Sequence, residues 1–262
     1  MQYNLLFYII MFVFGLVFGS FYNVIGYRLP KKESIAFPGS HCPNCNHKLK
    51  FYENIPILSY LFLFGKCKKC KKRISIIYPI FELITGILFL LCYLVFGFSF
   101  EFAESLIIVS VLIIVSISDL RYYIILDEVL LIGSILLILV RVISVFILNS
   151  SFVHIVLIPI LHGIGSFALL YLIKVLGDFL FKKESLGGGD IKLLAFIGLS
   201  VGFDMSIIAI FISSFIALPM AMINLAKKDS NIIPYGPFLA ISCIIILLGK
   251  IDLNSVINFL TK

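Results

Sequence analysis

Residues 186–192 read LGGGDIK, three consecutive glycines and an aspartate set between two long apolar segments. An ionised aspartate at the centre of a membrane helix costs roughly 2.5 to 3.5 kcal/mol on insertion scales, and less near the interface. Three glycines allow the backbone to bend, to approach a neighbour closely or to adopt positive φ just before Asp190. A carboxylate placed at a membrane boundary predicts a functional site. The candidate partner is Asp119, which closes another apolar run, LIIVSVLIIVSISD.

The composition predicts an all-α polytopic membrane protein. The chain has 262 residues, 61% of them hydrophobic, and a mean hydropathy of +1.14, which excludes an ordinary soluble domain. Apolar runs near the length needed to cross about 30 Å of hydrocarbon recur along the chain. We expect about eight transmembrane helices, at residues 5–27, 76–98, 102–118, 124–148, 152–176, 191–201, 205–225 and 232–248. The sixth is short and spans only if it extends through the glycine run or tilts.

The distribution of positive charge predicts the orientation. If the N-terminus is outside, the loops 28–73, 119–128, 174–192 and 227–228 all face inward, and they carry eighteen of the 21 lysine and arginine residues. This asymmetry fits the positive-inside rule. The net charge of +7 is therefore interpreted as a topology signal, with attraction to anionic membrane lipid as a second effect. We expect a multi-pass protein of the inner or plasma membrane, with no nucleic-acid partner.

Four cysteines in the polar loop between the first two helices predict a metal site. Cys42 and Cys45 lie in HCPNC, Cys67 and Cys70 lie in CKKC, and 21 residues separate the two pairs. Two such knuckles can present four thiolates to a tetrahedral zinc ion, and a site with four protein ligands is structural. The alternative is two disulfides. The predicted cytoplasmic position favours zinc, because disulfides rarely persist in a reducing compartment.

Other polar residues allow two interpretations each. Glu53, the one acid in FYENIPILSY, either pairs with nearby lysines or lines a site. The turn PYGPFLA, with Pro234, Gly236 and Pro237, is either a simple helix entry or a wall near the acids. Packing or interface positions are expected for Arg141, His154 and His162, and solvated positions beside the first knuckle for His41 and His47.

Two neighbouring carboxyl groups can perform general acid–base chemistry. They cannot both ionise cheaply, so they share a proton. The ionised member deprotonates a water and the protonated member polarises a carbonyl, which hydrolyses a peptide bond. Two other classes remain open. An ion- or proton-coupled transporter would place its acids near the membrane midplane, and a membrane scaffold would use the cysteine loop to recruit a partner.

An ordered set of motifs resembles one known family. GSFYNVIGYRLP, HCPNC, FYENIPILSY, GKCKKCKKRIS, YPIFELITG, SDLRYYIILD, GGGDIKLLAFIG and PYGPFLA occur in the order typical of bacterial type IV prepilin peptidases, which are G-x-G-D intramembrane aspartyl proteases. The resemblance implies a peptidase with Asp119 and Asp190 as its catalytic acids. It also implies cleavage, on the cytoplasmic side, of the basic leader peptide from prepilin or pseudopilin precursors, in support of type IV pilus biogenesis, type II secretion or competence.

The same resemblance implies a second activity. The new N-terminal residue would be N-methylated from S-adenosylmethionine by a part of the enzyme associated with the cysteine loop, although the sequence contains no glycine-rich methyltransferase fingerprint. The expected organisation is a first transmembrane helix at 1–30, a cytoplasmic zinc-binding loop at 31–77 and a peptidase helical domain at 78–262. One departure is Leu126, where the family often has proline before Asp127. The sequence leaves open the oligomeric state and the role of Asp127.

Overall fold

The structure is a computed structural model that describes residues 5–42, 44–182, 187–227 and 233–260. Leu186 of the glycine stretch, and Lys183 and Lys228 of the predicted inner loops, lie outside the described residues. By contacts the chain divides into two units, Met1–Phe98 and Ser99–Lys262. The first contains α1 (Leu5–Arg28), α2 (Leu58–Phe62) and α3 (Ile77–Phe96). The second contains α4 (Phe100–Tyr122), α5 (Asp127–Leu148), α6 (Ile158–Phe181), α7 (Gly188–Val201), α8 (Phe203–Lys227), α9 (Gly236–Leu248) and α10 (Leu253–Leu260).

The predicted polytopic α-helical class is confirmed. Each of the eight apolar segments contains a helix, and six helices among the described residues are long and apolar enough to cross a membrane. The other two, α7 and α9, have 14 and 13 residues. The sixth segment does extend into the glycine run, since α7 begins at Gly188.

Glycines allow the two long helices of the first unit to pack at close range. A Cβ added to Gly15 would lie 2.7 Å from the Cα of Gly86, and one added to Gly19 would lie 2.8 Å from the Cα of Glu82. Small residues permit this approach between membrane helices, where packing contacts replace the hydrophobic effect. The amide of Asn23 adds a hydrogen bond across the pair, to the carbonyl of Tyr78 at 3.1 Å. α3 therefore belongs with α1 by packing.

The turn between α4 and α5 brings Asp119 and Asp127 near one end of the second unit. α4 ends with Tyr123 in the left-handed conformation (φ 57°), its N–H bonded to the carbonyl of Asp119. Ser118 Oγ donates to the carbonyl of Ile124 at 2.6 Å. Leu126 precedes α5 with φ −81° and ψ 112°, and its side chain is buried. Leucine thus adopts a φ close to the one that proline imposes, and the turn keeps its shape without proline.

A buried arginine holds the opposite end of the same helices. Arg141 of α5 forms an ion pair with Glu104 of α4 at 2.8 Å and donates to the carbonyls of Leu199 and Ser200 at 2.8 and 3.3 Å. The last carbonyls of a helix have no partner within the helix. Arg141 supplies donors to two such groups of α7 while its charge is balanced by Glu104. The packing position expected for Arg141 is thus an ion-paired helix cap.

We expect Arg141→Met to destabilise the protein by about 3 kcal/mol, because Glu104 loses its cation and α7 loses its C-terminal donors. Arg121→Met is the matched control: Arg121 is exposed at the end of α4, and its loss should change stability by less than about 0.5 kcal/mol. The measurement is reversible unfolding in detergent micelles. Equal losses in the two variants would contradict the role of Arg141.

Candidate active site and metal centre

Asp119 lies on a buried face of α4, about one turn before that helix ends. Its residue is buried, and its Oδ2 accepts the backbone N–H of Gly236 at 2.9 Å. Gly236 is the first residue of α9, and the first N–H groups of a helix have no partner within the helix. A Cβ at Gly236 would lie 2.9 Å from the same carboxylate oxygen. Glycine is therefore required for this close approach, and the turn PYGPFLA forms a wall of the site.

Asp190 occupies the first turn of α7 and is partly exposed. The backbone N–H of Gly187 donates to its carboxylate. Gly187 is extended (φ −68°, ψ 137°) and directly precedes the helix. The glycine run is thus the start of a helix, and of the options that three glycines allow, positive φ is not the one adopted at these positions.

Within the run the glycines differ in the space around them. A Cβ at Gly189 would lie 2.8 Å from the Cβ of Ile125, whereas nothing lies within 4 Å of one at Gly188. Gly189 lets α7 approach the turn between α4 and α5. The middle position, the x of G-x-G-D, faces open space and carries no such constraint.

The fold brings the two acids into one site. α9 contacts both α4 and α7, and the charges of the Asp119 and Asp190 carboxyl groups interact. Each carboxylate accepts a hydrogen bond from a backbone N–H at the start of a helix, α9 for Asp119 and α7 for Asp190. Partial positive charge at helix N-termini stabilises carboxylates. The arrangement can hold one ionised and one protonated acid around a water.

Hydrogen bonds from the turn before α9 to α8 keep Gly236 in place. The hydroxyl of Tyr235 lies 2.5 Å from Ser213 Oγ and 3.2 Å from Ser214 Oγ, both on α8. The position of the Asp119 donor therefore depends on α8 as well as α9. The motif PYGPFLA alone does not indicate this role of Tyr235, because a single stretch of sequence does not reveal what a tyrosine hydroxyl will reach.

Asp127 pairs with Lys192, two residues beyond Asp190. Lys192 Nζ lies 2.5 Å from Asp127 Oδ2, and both side chains are about half exposed. The pair ties the start of α5 to the first turns of α7, beside the acids. Sequence reasoning missed it. No local pattern indicates it, because 65 positions separate the two residues along the chain.

The four loop cysteines form one cluster in the first unit. Their sulfur atoms all lie within 4.8 Å of one another, with Cys42–Cys70 at 3.8 Å and Cys45–Cys67 at 3.9 Å. All four thiols are free, so the disulfide alternative does not describe this structure. The group can hold a metal ion.

The two knuckles share one backbone design. In the first, Cys42 N–H donates to the carbonyl of His47 and Asn46 N–H donates to that of Cys42; in the second, Cys67 pairs with Lys72 and Lys71 with Cys67. The turn residues Asn46 and Lys71 are both left-handed, at φ 52° and 58°. These tight hairpins aim each pair of sulfurs at one point. Backbone N–H groups, that of Cys70 first, lower the pKa of Cys67 to about 6, which favours the thiolate that a metal binds.

Glu53 connects the two knuckles. Its buried carboxylate accepts the N–H of Lys50 at 2.8 Å, contacts His47 Nε2 at 3.2 Å and lies 4.0 Å from Lys68 Nζ. The Lys50 N–H, followed by His47 and Lys68, holds the pKa of Glu53 below its ordinary value. Of the two interpretations left open, pairing with neighbouring basic residues is the one observed.

Comparison with known proteins follows the same division. The model described as Bacterial Peptidase A24 N-terminal domain matches residues 13–96, and that of the Type IV leader peptidase family matches residues 106–222. A Bacillus subtilis (strain 168) protein named prepilin leader peptidase/N-methyltransferase is 36% identical over 258 residues, which cover 97% of each chain. This chain belongs to the type IV leader peptidase family. The resemblance found in its motifs is confirmed.

Relatives with the same name occur in other bacteria. One from Neisseria gonorrhoeae is 33% identical and is matched over 88% of this chain and 86% of its own length. One from Vibrio cholerae serotype O1 is 31% identical, with 91% and 96% covered. No solved structure matches the chain. The second family model covers Asp119 and Asp190 of this leader peptidase and ends before Gly236.

The glycine run yields a stability prediction. Gly189→Ala should destabilise this leader peptidase by about 1 to 3 kcal/mol, because the new methyl group overlaps Ile125 and displaces the start of α7. Gly188→Ala should be neutral or stabilising by up to about 1 kcal/mol, since alanine is the better helix former and its position is open. Thermal unfolding of the two variants in the same detergent tests the pair. A Gly188→Ala loss as large as that of Gly189→Ala would refute this account of the motif.

Proposed function

We propose that this chain is an intramembrane aspartyl endopeptidase that removes the leader peptide of type IV prepilin-like precursors, with Asp119 and Asp190 as its catalytic acids. The observation that carries the proposal is that the Asp119 and Asp190 carboxyl groups are near enough for their charges to interact, and that each accepts a backbone N–H at the start of a helix, α9 and α7 respectively. The names of the relatives, each a prepilin leader peptidase/N-methyltransferase, support the substrate class.

The proposed chemistry uses a water held between the two acids. The ionised carboxyl group takes a proton from the water, and the oxygen of that water attacks the scissile carbonyl carbon. The protonated carboxyl group donates its proton to the carbonyl oxygen. Collapse of the tetrahedral intermediate breaks the C–N bond, and a proton passes to the leaving amine. The products are a leader with a new carboxylate and a mature chain with a new N-terminal amine. The N–H groups of Gly236 and Gly187 keep the two carboxyl groups oriented through this cycle.

We place the site on the cytoplasmic side of the membrane. The loops that the sequence predicts to face inward carry eighteen of the 21 lysine and arginine residues, and both acids belong to such predicted inward loops, which the positive-inside rule assigns to the cytoplasm. A basic leader would be retained there for the same electrostatic reason. The transporter alternative is not favoured, since it requires acids near the midplane, whereas Asp119 lies within the last turns of α4 and Asp190 in the first turn of α7.

Neutralising either acid should abolish proteolysis. Asp119→Asn and Asp190→Asn should each lower kcat/KM for a prepilin precursor by at least about 10³-fold, because neither variant can share and exchange the proton. The assay is cleavage of a purified precursor in detergent, followed by mass analysis of the mature product.

Asp204→Asn is the control for these variants. Asp204 is an exposed acid in the first turn of α8, at the end of the unit opposite the site, and its loss should leave cleavage unchanged. Full activity in either catalytic variant, with the fold intact, would end the two-acid proposal.

We propose that the cysteine cluster binds zinc in a structural role. A zinc–sulfur distance near 2.3 Å places tetrahedral sulfurs about 3.8 Å apart, which agrees with the Cys42–Cys70 and Cys45–Cys67 separations of 3.8 and 3.9 Å. Cys42, Cys45, Cys67 and Cys70 would hold the ion, leaving no open position for a substrate. The bound ion would fix the two knuckles relative to each other.

We further propose that the new amine is N-methylated and that the first unit takes part. S-adenosylmethionine would supply the methyl group as an electrophile to the amine nitrogen. The support is the name of the relatives and the match of residues 13–96 to the family's N-terminal domain. The described residues do not single out a set that fits this donor.

Metal content should depend on the ligands and on Glu53. Cys67→Ser should lower zinc stoichiometry, and Glu53→Gln should weaken zinc binding by about 10-fold, since the contacts of Glu53 with His47 beside the first knuckle and Lys68 in the second hold the two pairs of ligands in position. Glu33→Gln, an exposed acid of the same loop, is the control. Elemental analysis after titration with a chelator measures both effects. A metal-free wild type would refute the proposal that the cluster binds zinc. Equal zinc affinities in Glu53→Gln and Glu33→Gln would refute the role of Glu53.

A further inference from the structure

The second unit contains a groove of about 630 Å³, whose lining begins on α7 at Lys192, two residues after Asp190. Its walls are α5 and α6, and its floor is α7, whose residues Lys192, Ala195, Phe196 and Leu199 recur at the spacing of one helix face. Most of the remaining lining side chains are apolar. An apolar lining of this kind, on helices long enough to cross a membrane, is suited to an apolar occupant.

The packing of the walls explains the shape of the groove. α5 contacts the π-helical turn Val153–Leu157 that precedes α6, and along the rest of its length α6 packs chiefly on α7. The walls therefore meet at the outer end. Between them the short helix α7 forms a floor that starts at the inner end, next to Asp190.

The inner end of the groove is polar and carries a negative excess. Asp127, Glu128 and Lys192 line it, and all three are exposed. Lys192 is neutralised by its ion pair with Asp127. Glu128 remains as an extra negative charge at the mouth, close to where a chain leaving the groove would reach Asp190.

We propose that the precursor continues beyond the scissile bond as an apolar helix and that this groove holds that helix, with the basic leader passing Glu128 and Asp127 as it leaves the membrane. The inference rests on the proposed function and specifies how that site receives its substrate. One face of α5, from Glu128 to Ile138, lines the wall, and helices rise 1.5 Å per residue, so the groove accepts about ten residues of a guest helix.

Two features favour a helical guest over other occupants. Ser134 and Ala195 are small side chains on the wall and the floor, and small residues allow a second membrane helix to approach closely. The charge at the mouth complements a basic leader, which a lipid acyl chain does not have. A guest helix that packs on α7 would place the scissile bond, at the inner end of the guest, next to Asp190, which α7 carries.

Photo-crosslinking tests the occupant directly. Benzoylphenylalanine is placed at Ser134, inside the groove, or at Ile135, the adjacent residue that faces away from it, in the Asp190→Asn background with an uncleaved precursor. We expect a crosslink from position 134 to the apolar segment of the precursor and none from position 135. Crosslinks from 134 to lipid only, or equal yields from both positions, would overturn the proposal.

Kinetics provide an independent readout. Ser134→Phe fills the groove and Ile135→Phe adds the same bulk outside it. The quantity measured is kcat/KM for the full precursor divided by kcat/KM for a short soluble peptide that spans the cleavage site. This ratio should fall about tenfold in Ser134→Phe, mainly because KM for the precursor rises, and it should stay within about twofold of the wild-type ratio in Ile135→Phe. Glu128→Lys should raise KM for the precursor, with Glu101→Lys at the outer end as its control.

The wild-type enzyme distinguishes failure of the groove assignment from failure of the proposed function. If it cleaves the precursor while Ser134→Phe and Ile135→Phe give the same ratio, the groove assignment is wrong and the proposed function stands. If the wild type cleaves neither substrate, the proposed function fails, and the groove assignment fails with it. A Ser134→Phe protein that does not fold leaves the crosslinking result to decide.

Discussion

A buried carboxylate needs a hydrogen-bond donor, and this constraint determines much of the second unit. Asp119 is 6% exposed near the end of a membrane helix, where burial of a charge is costly. Gly236 meets the need because it is the first residue of α9 and its N–H is free to donate. α9 must then start inside the protein, at the level of the acid. The turn that precedes it must be fixed, which the Tyr235 hydroxyl achieves by its bonds to α8.

The same constraint explains why α7 is held at both ends. A helix of 14 residues is about 21 Å long, shorter than the roughly 30 Å of hydrocarbon, so its termini cannot both reach polar surroundings. Backbone groups in the hydrocarbon region need internal partners. At the C-terminal end Arg141 donates to the carbonyls of Leu199 and Ser200. At the N-terminal end Asp190 occupies the first turn, and the chain approaches Ile125 through Gly189. A short helix held at both ends is a stable base for Asp190, the proposed catalytic acid.

The first unit is stabilised in a different way. Its long helices pack through glycines, and its polar loop has too few apolar contacts to fold as a separate core. Two hairpins that focus four thiols on one point, together with the bonds of Glu53 to His47 and Lys50, hold that loop in shape. A structural ion would complete it, since metal binding contributes directly to the folding free energy of small loops of this kind.

The sequence alone determined the membrane class, the eight apolar segments, the two acids and the four cysteines. Each of these has a local physical signature: hydropathy over a helix length, a charge that interrupts it, or a C-x-x-C spacing. It also carried the ordered motifs by which the family was recognised. The identity of the partners was decided by tertiary structure, because Asp119 and Gly236, Asp127 and Lys192, and Arg141 and the end of α7 lie far apart along the chain. Helix packing is set by the shapes of many side chains at once, so no single stretch could show that the N–H groups of two helix starts would hold the two acids.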